Sequence, residues 1–135
     1  MPILDVVLSG APSAERSAAV AAALTELTAD ILRKDRSLTS VAIRYAAPEH
    51  WAVGGSPLAA QGRTSFFLDV RVTQGTNTKD EKARYIAAVF TRMRALLGEL
   101  HDASYVHVHS VPAEDWGYGG RTQAQRRAAA TPIAA

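Results

Sequence analysis

A seven-residue block occurs twice in this chain, and the repetition sharply limits what the chain can fold into. Glu49-His50-Trp51-Ala52-Val53-Gly54-Gly55 returns 65 residues later as Glu114-Asp115-Trp116-Gly117-Tyr118-Gly119-Gly120, and the two copies use both tryptophans of the sequence. The same offset, with no gap, aligns Val7 with Val72, Gly10 with Gly75, Leu32 with Leu97 and Val41 with Val106. Periods of about 20–50 residues mark solenoids and propellers; a longer one points to a duplicated supersecondary unit. The copies differ where they begin. The first opens with Met1-Pro2, and the equivalent place in the second is Phe66-Phe67. Chemistry that needs a free proline amine is therefore open to one copy only.

Each copy spells out the same three elements. Ile3 to Leu8 is an apolar run broken only by Asp5 and bounded by Ser9-Gly10, which predicts a strand. Ser13 is placed to cap a helix whose apolar face is Val20, Leu24, Leu27 and Ile31, ending near Arg33-Lys34. Val41, Ile43 and Tyr45 alternate with Ala42, Arg44 and Ala46, a strand that Pro48 ends. In the second copy, Phe66 to Thr73 reads as a strand. Thr78-Lys79-Asp80-Glu81 matches a capping box, and Ile86, Val89, Phe90, Met93, Leu96, Leu97 and Leu100 form one helical face. Val106 and Val108 alternate with His107 and His109 in the final main strand.

Strand–helix–strand connections of this length predict right-handed crossovers and parallel strand pairs. The expected architecture is α/β (α+β): two β-α-β units forming a four-stranded sheet with two helices on one face. Residues 1–135 read as a single domain of two repeats, about 2–60 and 67–125, with an Ala/Arg-rich tail over 121–135. The uncovered face is expected to hold Val6 and Leu8 beside Asp69, Arg71, His107 and His109. A partly apolar open face calls for a partner subunit.

Composition removes several function classes. There is no cysteine, hence no thiolate nucleophile, disulfide or cysteine metal site. The net charge of +2 gives no argument for nucleic acid, although Arg121, Arg126 and Arg127 crowd the last segment. No apolar run is long enough to span a membrane and no leader is visible, so the reading is a soluble, cytoplasmic protein without nucleic-acid or membrane partners. The paired glycines read as backbone freedom for tight turns, not as phosphate cradles. His107 and His109 share a strand face, but the sequence offers no third ligand beside them, and an interface hydrogen bond is the plainer reading.

A Pro2 start followed by strand, helix, strand and an aromatic-x-x-Gly-Gly turn resembles the tautomerase superfamily, typified by 4-oxalocrotonate tautomerase. The resemblance runs over about residues 2 to 122 and rests on Pro2, Gly10, Leu38-Thr39-Ser40-Val41, Trp51, Gly54-Gly55 and their second-copy counterparts. The duplicated length is similar to fused members such as cis-3-chloroacrylic acid dehalogenase and malonate semialdehyde decarboxylase. The resemblance implies a homotrimer, no metal or organic cofactor, and a small carboxylic acid as substrate. It implies that Pro2, freed by removal of Met1, is the general base of a tautomerase or isomerase. Trp51 and Trp116 become candidate apolar walls, and Tyr118 a candidate hydrogen-bond donor to substrate.

The family arginines that clamp carboxylates are missing. Ala11 and Thr76 follow the two strand-end glycines, and the second-strand arginine position holds Ala42 and His107. Thr73 and Thr76 occupy the places of the dehalogenase's paired arginines. Other cations must hold a substrate carboxylate, and the sequence candidates are Arg44, Arg71, His107 and Arg121. Two alternatives stay open. One is a hydratase, dehalogenase or decarboxylase with an acidic Pro2 and Glu114 or His107 as helper. The other is a non-catalytic binding or structural homologue, which an intact Met1 would favour by turning the Pro2 nitrogen into an amide.

Overall fold

A computed structural model describes residues 2–130; Met1 and the last five residues of the tail lie outside the described residues. The main elements are β1 (Ile3–Ser9), α1 (Ala14–Ile31), β2 (Ser40–Ala46), a hairpin of β3 (Ala52–Val53) and β4 (Ser56–Pro57), and the short α2 (Leu58–Gln61). They recur as β5 (Phe66–Thr73), α3 (Lys79–Leu97), β6 (Tyr105–Val111), a hairpin of β7 (Gly117–Tyr118) and β8 (Arg121–Thr122), and α4 (Gln123–Ala130). The 65-residue offset that repeats the tryptophan block in sequence also superimposes β2 on β6 and the first hairpin on the second.

The helices begin where side chains can satisfy their free amides. Ser13 Oγ accepts from the amide of Arg16 at 3.1 Å. At α3 the Thr78 hydroxyl accepts from the Glu81 amide at 3.1 Å, while the Glu81 carboxylate accepts from the Thr78 amide at 2.8 Å. That backbone hydrogen bond is the main reason the Glu81 carboxyl sits below the usual glutamate range. Gly98 closes α3 with a positive φ that a side chain would oppose.

The sheet order is β2-β1-β5-β6. Within each unit the strands are parallel, and the two units meet antiparallel through β1 and β5. Leu4, Val6, Leu8, Phe66, Leu68, Val70 and Val72 point to one side and pack under Val20, Leu24, Tyr85, Val89 and Met93 of the two helices. Inside this core the Thr28 and Tyr85 hydroxyls bond at 2.8 Å, linking α1 to α3.

One expectation requires correction. Val6 and Leu8 do not lie on the open face; both are completely buried under the helices. The antiparallel register sets Val6 opposite Leu68 and Asp5 opposite Asp69. Directly opposed residues share a face, so Asp5, not Val6, keeps company with Asp69. From Ile3 to Leu8 both parities of β1 are apolar except at Asp5, and the cost of burying that carboxylate chooses which one faces water. The open face thus carries Ile3, Asp5, Val7, Ala42, Arg44, Phe67, Asp69, Arg71, Tyr105, His107 and His109, as their pairing dictates.

Candidate active site

Pro2 precedes β1 and is buried. Its carbonyl accepts from the Ser40 amide at 3.3 Å, which ties it to the start of β2. Continuing the β1–β5 pairing by one residue sets it opposite Val72, next to Thr73 at the end of β5. Four chain segments converge at this end of the sheet, because β6 runs parallel to β5 and delivers the second hairpin and α4 here.

Beside the Pro2 end lies a cavity of about 460 Å³ lined by Lys34, Asp35, Leu38, Thr73, Thr76, Tyr118, Gln123, Arg126, Arg127 and Ala130. Pro2 does not itself line this cavity; Thr73 adjoins Val72, the residue opposite Pro2, and Leu38 lies two residues before Ser40. The cavity volume falls in the range of small-molecule sites. Lys34 Nζ donates to Thr76 Oγ1 at 2.8 Å, and Thr76 Oγ1 donates in turn to the Thr73 carbonyl at 2.6 Å. Burial holds the Lys34 ammonium below the usual lysine range; Glu81 opposes the shift and Arg127 adds to it. Arg126 lies 3.8 Å from the Tyr118 ring centroid and donates to the Tyr118 carbonyl at 3.0 and 3.2 Å. Gln123 is nearly buried, and its Nε2 has no hydrogen-bond partner among the described residues. A partly desolvated cation with an unpaired amide donor in one cavity is suited to a small anion.

The residues singled out from sequence separate into three places. Tyr118 lines the Pro2-end cavity. Trp116 and Arg121 belong to the same hairpin but face an adjoining cavity of about 330 Å³, together with Glu114. The Trp116 Nε1 is shielded and has no partner among the described residues. This hairpin is tight: a Cβ on Gly117 would run into the Arg121 backbone.

Trp51 is at the other end of the sheet. At about 3.3 Å per residue, the length of β1 separates it from Pro2 by roughly 20 Å within one chain. It lines a cavity of about 470 Å³ with Ala52, Val53, Gly54, Phe67, Ala103 and Tyr105. By the 65-residue offset, Phe67 stands there where Pro2 stands in the first unit, so this is the apolar counterpart of the Pro2 end.

Arg44, Arg71 and His107 lie on the open face. Arg44 Nη2 holds both oxygens of Asp5 at 3.1 Å, and Arg71 Nη2 is 3.7 Å from Asp69 Oδ2. Among the described residues, the cations at the Pro2 cavity are instead Lys34, Arg126 and Arg127. Sequence reasoning had Lys34 as a helix-terminal residue and the two arginines as part of a basic tail. What could have found them is the offset itself: it places the second hairpin and its following segment beside the first unit's start once the units are known to be antiparallel.

Residues 2–61 match the model of the tautomerase enzyme family. The chain resembles the R7 fused 4-OT, a wild-type asymmetric trimer, with a TM-score of 0.81 at 22% identity, covering 93% of this chain and 98% of that one. For native fused 4-OT the TM-score is 0.75 at 24% identity, over 91% and 97% of the two chains. The FG41 malonate semialdehyde decarboxylase inhibited by 3-bromopropiolate gives 0.73 at 19% identity, over 96% and 99%. No curated protein matches the sequence. At these identities the structural likenesses speak for the fold.

Proposed function

We propose that this chain, which has the fused tautomerase fold and a first unit matching the tautomerase enzyme family, moves a proton within a small unsaturated or 2-keto carboxylic acid. The observation that carries the reading is the cation-lined cavity at the buried Pro2 end of the sheet. Removal of Met1 makes Pro2 a secondary amine. An unperturbed α-amino group titrates near about 7.7–8.0. Burial and neighbouring cations disfavour an ammonium form in general, and in this proposal Pro2 is a neutral base. The amine takes the enol hydroxyl proton as the carbonyl forms and returns it to the substrate carbon, so the O–H bond broken is balanced by the C–H bond made. Lys34 and the arginines hold the carboxylate, Gln123 Nε2 donates to a substrate oxygen, and Tyr118 closes one wall.

The test is ketonisation of phenylenolpyruvate or 2-hydroxymuconate by protein whose intact mass shows that Met1 is gone. Pro2→Ala is expected to lower kcat by about 10²–10⁴-fold, the usual size of a general-base contribution, with the assembly unchanged. Unaltered turnover in that variant defeats the reading. The direction of the pH profile separates it from hydration or dehalogenation: a base loses rate as pH falls through the amine titration, whereas a Pro2 acting as an acid gains it.

A further inference from the structure

We propose that Asp69, His107 and His109 form a site for a divalent transition-metal ion, zinc foremost, on the open face of the sheet. The site is separate from Pro2 and does not depend on its chemistry. Two histidines at alternate positions of β6 share a face, as any i, i+2 pair does, and by themselves specify nothing. The third ligand comes from the next strand: Asp69 on β5 is the direct partner of His107 in the parallel ladder. One ligand atom from each of the three residues lies within 4.8 Å of the others. The two imidazoles stack at a centroid distance of 5.3 Å and an interplanar angle of 18°.

The state of the Asp69 carboxylate is the independent sign. Arg71 approaches only Oδ2, at 3.7 Å. Oδ1 is shielded from solvent and has no hydrogen-bond partner among the described residues. A carboxylate oxygen withdrawn from water without a donor is costly. The neighbouring carboxylate, Asp5, is already held through both oxygens by Arg44, so that arginine is committed elsewhere. A cation bridging Oδ1 to the imidazoles removes the cost.

Zinc takes His nitrogen and carboxylate oxygen at about 2.0–2.2 Å in tetrahedral geometry. That spacing needs donor atoms roughly 3.3–3.5 Å apart, which small rotations of two exposed histidine rings can supply. Three protein ligands leave a fourth position for water or for a group from a second copy, since this face is the one a neighbouring subunit would cover. A set of two imidazoles and one carboxylate suits zinc, cobalt or nickel better than calcium or magnesium.

The experiment is titration of the purified full-length protein with Zn²⁺, and with Co²⁺ as a coloured probe, while imidazole signals are followed by NMR. The chain has four histidines, so His50 and His101 are internal controls. The expected result is saturable binding of one ion per chain, with shifts confined to two of the four imidazoles and tetrahedral Co²⁺ absorption. His107→Ala, His109→Ala and Asp69→Asn should each weaken binding by at least about 10–100-fold, the loss seen even for groups that only support ligands. His50→Ala and His101→Ala should leave it unchanged. No saturable binding, shifts spread over all four imidazoles, or binding that survives His107→Ala would overturn the site. The NMR readout on the unmodified protein decides the matter even if a variant fails to fold.

Discussion

Lys34 shows how one side chain acquires a role from its surroundings. In sequence it is a basic residue at the end of a helix. In the fold it is half-buried, bonded to Thr76 and placed in the Pro2-end cavity. Its lowered pKa means that the folded chain binds this proton less readily than the unfolded chain, so stability rises as pH climbs from the folded value towards about 10.4. A bound carboxylate reverses the shift: substrate or a competitive acid should raise the Lys34 pKa, which NMR of isotopically labelled lysine reports directly. Lys34→Ala should raise KM for an acid substrate by about tenfold or more, the usual scale of a charge-assisted hydrogen bond, with a smaller change in kcat. Tyr85 works in the opposite sense. Burial pushes its hydroxyl up to about 12, against the hydrogen bond it shares with Thr28, which pulls it down. A raised acid pKa stabilises the fold below the unfolded value near 10 and no more at higher pH. Stability should therefore decline by up to roughly 1.4 kcal/mol per pH unit between about 10 and 12. Denaturant melts in that window check this, and Tyr85→Phe should flatten the decline.

At the scale of elements, the helices were the most legible part of the chain because their signals are local. Ser13, Thr78 with Glu81, and Gly98 all act within one turn of themselves. Thr78→Ala removes the hydroxyl that holds the Glu81 amide and should cost about 1 kcal/mol, seen as a lower urea midpoint with an unchanged slope. The strands were legible as strands but not in their facing. Val6 and Leu8 illustrate the reason: with apolar residues at both parities of β1, one residue of register exchanges the two faces. Only Asp5, lying across from Asp69 and held by Arg44, breaks the tie. The segment from Gln123 to Ala130 is the opposite case. It has few large apolar residues to mark a face, yet it is a helix whose Gln123, Arg126 and Arg127 line the candidate site.

The whole molecule has one covered and one uncovered sheet face. Ile3, Phe67 and Tyr105 on the open side are 36%, 45% and 66% exposed, large values for residues that sit among strands. The fused 4-OT structures that this chain resembles in fold include trimers. Phe67→Asp with Tyr105→Asp should lower the solution mass to that of one chain in light scattering, while circular dichroism stays unchanged because neither residue belongs to the helix-facing core.

The sequence by itself determined the duplication, the element order and the asymmetry between Pro2 and Phe67. These follow from an offset, from periodicity and from caps, all of which are properties of order along the chain. The tertiary structure alone decided which groups meet. The antiparallel junction of β1 and β5 sends the second hairpin, not the first, to Pro2. The same junction gathers Lys34, Arg126 and Arg127 from segments far apart in the chain. The β5–β6 ladder brings Asp69 to His107 across 37 intervening positions of sequence. Register is set by the summed burial of both strands' apolar faces and by the cost of burying a carboxylate. Neither quantity is visible in either strand taken alone.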